Sequence, residues 1–335
     1  MATFTILNAP AAAAAGSSSL CVIACGSGWI TYNTDSTLTN WASYQITPDD
    51  GTISGNNSIA YGLDSSGNPL WGIARGSDNY ELLSSSDPTA GAASWTAHDT
   101  VVGGGWAAGS LRKNVIVYRP QWNKWVATRG SENEIFQSAD GDISSAWSYV
   151  STHLQDHIGV GAVDGSGTLK LTNWRSGIKP QLITVADTSL ANSSSHAGIG
   201  GEVDGKITSV AYGNGVWKTA TSKGSTYKIG SVVTTNKVNK LQYGGGDVWM
   251  GVGNGNLLLV STNNGSAWSE SSIQLAGSSN LLDLAKVGND WIAIGSDRNS
   301  DNIFKSSDDG VTWTAVGLTG SNSLDIAQNV ILPNT

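Results

Sequence analysis

Cysteine is almost missing from this chain: its 335 residues include two, Cys21 and Cys25. Residues four apart on one strand stand roughly 13 Å from each other, and a disulfide needs Cα atoms within about 7 Å. Both thiols are therefore read as free, and there is no CxxC or Cys/His spacing of a metal site. Charge is also scarce, at 13% of residues, and basic groups are the minority: 18 Lys and Arg against 26 Asp and Glu, for a net charge of −8. A nucleic-acid or anionic-membrane binder needs a basic field, so neither partner is expected. No apolar run approaches the ~20 residues of a membrane span, which argues against membrane insertion. The opening Met1-Ala2-Thr3-Phe4-Thr5-Ile6 has no basic region or long apolar core, so a secretory signal is not expected there. No Gly-rich phosphate loop or dinucleotide fingerprint occurs, because Gly103-Gly104-Gly105 and Gly244-Gly245-Gly246 lack a following helix and lysine. Asp140-Gly141-Asp142 is too short for an EF-hand-type calcium loop. No cofactor and no metal are expected.

Glycine and tryptophan are plentiful, at 42 and 14 residues, and both recur in phase. The clearest phrase is Ser306-Ser307-Asp308-Asp309-Gly310-Val311-Thr312-Trp313, set between two apolar runs. A serine, an acid and a glycine between alternating runs make a hairpin turn. Asp308 accepts from turn N–H groups, Gly310 takes a positive φ, and Trp313 supplies a large ring to bury. Looser copies are Asn33-Thr34-Asp35 with Trp41, Ser85-Ser86-Asp87 with Trp95, Ser138-Ala139-Asp140 with Trp147, and Ser261-Thr262-Asn263 with Trp268. A second phrase precedes each, as in Trp71-Gly72-Ile73-Ala74-Arg75-Gly76-Ser77 and Trp125-Val126-Ala127-Thr128-Arg129-Gly130-Ser131, with weaker versions led by Cys21, Trp217, Trp249 and Trp291. Four short strands in a repeat of about 45 residues are the pattern of a propeller blade. The expected fold is all-β: a single β-propeller of seven four-stranded blades, or six if blades four and five are misdivided.

Residues 1–18 read as an N-terminal arm and 19–335 as the propeller. Blade one, 20–46, has only three strands. Blade four ends in a polar stretch, Asn192–His196, with no tryptophan, and blade five looks truncated, with little room for a fourth strand. The tail, 323–332, is one further strand with no following partner. It is expected to complete the first blade and so remove the open edges of the ring.

These phrases resemble the Asp-box repeat, also called the bacterial neuraminidase repeat, across about residues 20–332. The resemblance implies a propeller with the boxes at the turn between the third and fourth strands, and by itself it names no function. Members include sialidases, other glycoside hydrolases, sorting receptors, photosystem assembly factors and phage virion proteins. Against the sialidase pattern, no Arg-Ile-Pro phrase occurs, and Tyr80-Glu81 are neighbours that a strand would point to opposite faces. A glycosidase needs two carboxylates about 5–10 Å apart, for which Glu132, Glu134, Asp297 and Asp301 are the candidates. The box residues Asp35, Asp87, Asp140, Asn263 and Asp308, with Trp41, Trp95, Trp147, Trp268 and Trp313, are read as structural, and no catalytic residue is assigned.

Arg75, Arg129, Arg175 and Lys223 share nearly one repeat position, the turn after the second strand, and Arg298 lies in the matching loop of blade seven. That turn faces away from the boxes, so these cations are expected to form a rim on the opposite face. Arginine grips carboxylates and sulfates with a two-pronged fork, and Tyr80 and Trp174 are nearby aromatics to stack on a sugar. The rim is a candidate anionic-ligand site, and the competing reading is solvated turn chemistry. The expected function is a non-enzymatic structural or binding module, in particular a phage virion component (tail, nozzle, fibre or capsid decoration). Alternatives are a lectin-like module or a sialidase-like hydrolase. Its partners would be other virion proteins or a cell-surface glycan, with a homo-oligomer as one arrangement. The expected location is the virion, with an extracellular or cytoplasmic soluble protein as the alternative.

Overall fold

The computed structural model describes residues 20–25, 28–35, 37–46, 55–76, 82–98, 115–129, 134–150, 158–173, 181–185, 194–196, 206–272, 280–295, 302–316 and 327–331. The arm at 1–18 lies outside them. Blade one contains β1 (Cys21–Cys25), β2 (Trp29–Asn33) and β3 (Ala42–Gln45). Blade two contains β4 (Gly55–Leu63), β5 (Pro69–Gly76), β6 (Leu82–Ser85) and β7 (Thr96–His98). Blade three contains β8 (Val115–Arg119), β9 (Lys124–Arg129), β10 (Glu134–Ser138) and β11 (Trp147–Val150). Blade four contains β12 (Ile158–Val163), β13 (Leu169–Asn173), β14 (Gln181–Val185) and β15 (Ser194–His196). Blade five contains β16 (Lys206–Gly213), β17 (Val216–Lys223), β18 (Thr226–Ile229) and β19 (Val232–Thr234). Blade six contains β20 (Val238–Gly245), β21 (Val248–Gly253), β22 (Leu257–Ser261) and β23 (Ser269–Ser272). Blade seven contains β24 (Leu281–Val287), β25 (Asp290–Gly295), β26 (Ile303–Ser306) and β27 (Thr314–Ala315). The last strand, β28 (Ala327–Ile331), pairs antiparallel with β1, with Ile23 opposite Val330.

The sheets are seven, each of four antiparallel strands, and the order β28-β1-β2-β3 makes the tail the innermost strand of blade one. The ring closes as expected from the sequence: β28 packs between β24 of blade seven and β4 of blade two. Blade five departs from the expectation of a missing strand. Its chain reverses at Gly230, whose φ is +57°, and Ile229 pairs directly with Val232. A turn this tight leaves room for β19 where the sequence suggested none.

Blade faces pack on one another through the tryptophans that lead the second strands. Trp71, Trp125, Trp249 and Trp291 are each at most 1% exposed. A tyrosine on the first strand tilts against this ring in four blades: Tyr61 on Trp71, Tyr118 on Trp125, Tyr212 on Trp217 and Tyr243 on Trp249, with centroids 5.0–5.2 Å apart. Such tilted aromatic pairs add stability beyond their buried area. Glycine follows the tyrosine at Gly62, Gly213 and Gly244. A Cβ at Gly213 would lie 2.1 Å from Tyr243 Cγ, one at Gly62 2.3 Å from Tyr118 Cγ, and one at Gly244 2.3 Å from Trp291 Cζ2. Each glycine is thus the floor on which the next blade's aromatic rests.

A β-bulge interrupts the first strand of several blades, and in three of them the residue after it reaches the following blade. Ser58 of β4 accepts from Ile116 N at 3.2 Å, and Ser209 of β16 accepts from Leu241 N at 2.9 Å. In blade six that position is Lys240, whose Nζ lies 3.7 Å from Asp283, the matching residue of blade seven. Bulges re-aim side chains. In β4, β16 and β20 they turn Ser58, Ser209 and Lys240 toward the neighbouring inner strand.

Candidate functional site

The two ends of the ring carry different chemistry. On one end lie the Asp-box turns, in which the acids hold backbone. Asp308 Oδ1 accepts from Thr312 N at 2.8 Å and from Ser306 Oγ at 2.8 Å, Ser306 Oγ accepts from Gly310 N at 2.9 Å, and Trp313 Nε1 donates to Gly310 O at 3.1 Å. Asn263 does the same work with an amide oxygen, accepting from Ser266 N at 3.1 Å and Ala267 N at 2.8 Å. Asp35 accepts from Thr37 N, Asn40 N and Asn33 Nδ2 at 2.8–3.0 Å. Asp87 accepts from Thr89 N, and Asp140 from Asp142 N, each at 2.9 Å. Among the box tryptophans, Trp41 and Trp95 are buried, while Trp147, Trp268 and Trp313 are half-buried.

The turns also fasten blade to blade. Tyr44 of blade one accepts from Trp95 Nε1 at 2.8 Å and donates to Pro88 O at 2.5 Å. Ser65 of blade two donates to Asp142 at 2.7 Å, Lys218 of blade five to Gly265 O at 3.2 Å, and Lys305 of blade seven to Thr37 O at 2.7 Å. The first-to-second-strand turns on this end use the same device. Asp64 accepts from Ser66 N and Asn68 N, and Asp164 from Ser166 N and Thr168 N.

These hydrogen bonds act on the carboxylates. The Thr312 hydroxyl, then its backbone N–H, holds Asp308 down to about 2, against a weaker opposing effect of desolvation. At Asp35 desolvation works against ionisation, and the bonds from Thr37, Asn33, Asn40 and Thr39 outweigh it, leaving the group well below the ordinary carboxylate range. At Asp309 the Lys286 ammonium and then Trp291 Nε1 lower the carboxyl in the same sense. A folded pKa below the unfolded one gives stability that is complete above the unfolded pKa and lost as pH falls through the folded one. Acidification from about pH 4 to about pH 2 should therefore lower the urea midpoint progressively. Asp308→Asn, which copies the amide of Asn263, should make that drop smaller. An unchanged acid limb in the variant would show that this carboxylate does not titrate with folding.

The opposite end was expected to present a rim of cations. Arg75 does not stand on it: the side chain is 1% exposed and Nη2 donates to Ile46 O of blade one at 3.0 Å. The reason is strand parity. Trp71, Ile73 and Arg75 alternate along β5, so all three point into the interface between blades. Arg75 is thus an inter-blade clamp. Lys223 ends β17 on this rim and is exposed. The backbone of Arg129 ends β9, opposite Glu134. Tyr80, Trp174, Arg175 and Arg298 lie outside the described residues, as do Glu81, Glu132, Asp297 and Asp301.

Three groups of consequence were not singled out from the sequence. Arg119 of β8 is fully buried and ties blade three to blade four, with Nε donating to Gly167 O at 2.8 Å and Nη2 to Val185 O at 3.0 Å, its guanidinium 3.4 Å from the Trp122 ring centroid. Lys240 and Asp283 are the second. The Tyr-Gly dipeptides at 61–62, 212–213 and 243–244 are the third, and they were available as a repeated word.

No family model matches this chain. No curated protein matches it either. Solved structures do, at propeller level. YCF48 from Cyanidioschyzon merolae is 10% identical with a TM-score of 0.58, over 86% of this chain and 94% of that one. YCF48 bound to a D1 peptide is 15% identical with a TM-score of 0.54, over 78% and 80%. A chain of the nidogen/laminin complex is 9% identical with a TM-score of 0.52, over 94% and 98%. At these identities the likeness is one of fold. No helix among the described residues is long and apolar enough to cross a membrane.

Proposed function

We propose that this chain is a non-enzymatic binding propeller whose task is contact with other proteins, as a virion component. The observation that carries the reading is the use made of the Asp-box acids. Asp35, Asp87, Asp140 and Asp308 each accept from the backbone of their own turn. Such groups hold loops in shape rather than act on a substrate. A closed ring of fixed turns presents wide, rigid surfaces, which suits docking without large rearrangement. Two structural neighbours support the direction: one is bound to a peptide and another is part of a two-protein complex. The virion assignment adds the low charge and the Gly-rich composition. The glycan reading is weaker, because Arg75 is buried.

The test is light scattering of the purified chain, beside electron microscopy of native particles that carry it. The expected result is a repeated component of a particle, with deletion of residues 1–18 leaving a folded ring that no longer assembles. A free monomer that no particle contains and that captures no protein partner would overturn the proposal. So would turnover of chromogenic glycosides.

A further inference from the structure

In most blades a third-strand serine stands opposite the tryptophan that leads the second strand. Trp71 faces Ser85, Trp249 faces Ser261 and Trp291 faces Ser306. In blade three the serine hydroxyl itself takes the backbone, Ser138 Oγ accepting from Trp125 N at 2.9 Å. The box turn that follows then takes the indole N–H. Trp125 Nε1 donates to Gly141 O at 2.6 Å, Trp249 Nε1 to Asn264 Oδ1 at 2.9 Å and Trp291 Nε1 to Asp309 Oδ1 at 3.1 Å. Strand end and box turn together cover the leading tryptophan.

Blade five has neither cover. Its third strand, β18, pairs with β17 only as far as Ala220, which lies opposite Ile229, and at Gly230 the chain turns back into β19. Residues 216–218 therefore pair with β16 on one side and with no strand on the other, among the described residues. The ladder fixes where their backbone groups point. Gly230 N donates to Thr219 O at 3.2 Å, so Thr219 turns its N–H and C=O to the β18 side. That direction alternates along an antiparallel strand, so Trp217, two residues away, turns its N–H and C=O to the same, uncovered side. Trp217 Nε1 also has no hydrogen-bond partner among the described residues. The indole is half-buried, unlike Trp71, Trp125, Trp249 and Trp291. It is nevertheless held in place: Tyr212 tilts on it at 5.0 Å between centroids, and Lys170 Nζ of blade four lies 4.5 Å from its centroid.

We infer that the open edge of β17 at residues 216–218 pairs with a short extended segment of a partner protein, one that carries a serine and, three residues later, an aspartate or asparagine. This rests on the protein-binding reading above and names the chemistry of the docked segment. The chain itself shows what fits such an edge. Ser261 and Asn264 take Trp249, and Ser306 and Asp309 take Trp291, each pair three residues apart. A bare strand edge is a template for pairing, and an added strand is held by main-chain hydrogen bonds. Three residues of strand span about 10 Å, which suits a short segment. The indole N–H can only donate, so it selects an acceptor side chain at the end of that segment.

The probe is a fluorescent peptide with the sequence of residues 303–313, which contains Ser306 and Asp309, measured by anisotropy against the full chain. The native chain should bind it saturably, and N-methylation of the peptide at the Ser306 nitrogen should abolish binding. The Asp309→Ala peptide and the Trp217→Phe chain should each weaken binding about threefold to tenfold, the effect of one hydrogen bond, and the two together should weaken it no further. Circular dichroism checks that Trp217→Phe folds. Equal binding of the N-methylated peptide would overturn the edge, and additive losses in the cycle would overturn the contact with Trp217 Nε1. No peptide binding, in a chain that still captures a protein partner, would overturn the edge and leave the protein-binding reading standing. Peptide binding that appears only once residues 1–18 are deleted would overturn the partner in favour of the chain's own arm. Self-association of the native chain that excess peptide abolishes would overturn it in favour of a second copy.

Discussion

Arg119→Ala should destabilise the ring by about 3 kcal/mol, read as a shift of the urea midpoint in tryptophan fluorescence. Hydrogen bonds to a charged group contribute about 1.5–3 kcal/mol each, and Arg119 donates to both the Gly167 and Val185 carbonyls from a fully buried position. Truncation removes those donors, leaves the carbonyls in apolar surroundings and opens a void beneath Trp122. Arg119→Lys should recover little. An ammonium is a compact point donor and cannot reproduce a planar fork that also stacks on an indole. A native-like midpoint for Arg119→Lys would show that charge alone suffices and that the fork is incidental.

Lys240→Met should cost about 3–5 kcal/mol, the usual penalty for leaving one partner of a buried pair uncompensated. The side chains of Lys240 and Asp283 are 2% and 0% exposed, and burial already pushes the Lys240 ammonium down while Asp283 pulls it back up. The double variant Lys240→Met with Asp283→Leu should regain most of that loss, because well-packed apolar groups often replace a buried ion pair at little cost. The two single variants and the double form a thermodynamic cycle. A double variant as unstable as the sum of the singles would mean that the two groups are not coupled and that each serves a separate contact.

The architecture was legible because blades repeat. Each Trp-led strand and each box turn reported the same local geometry several times, and the three-stranded start pointed to the tail as its missing partner. The fourth strand of blade five escapes the sequence pattern for a physical reason: the last hairpin turns on Gly230 and carries no tryptophan, so no box phrase marks it. The cation rim fails at Arg75 because strand parity, not turn chemistry, sets the direction of this side chain. Two residues beyond a buried Ile73, on the same strand, the side chain was bound to point inward. Arg119, Lys240 and Asp283 are less visible in principle. A buried charge looks like an exposed one until the bulge and the neighbouring blade are placed.

The pairing of β1 with β28 also fixes an order in time. About 300 residues separate the two strands along the chain, and a ribosome adds roughly 5–20 residues per second. Blade one therefore waits some tens of seconds for its innermost strand after β1 to β3 have emerged. Throughout that interval the apolar edge of β1 has no partner from its own chain, and the six later blades form an open arc. Closure waits for β28, so the nascent arc, more than the finished ring, is the species that chaperones and aggregation compete for.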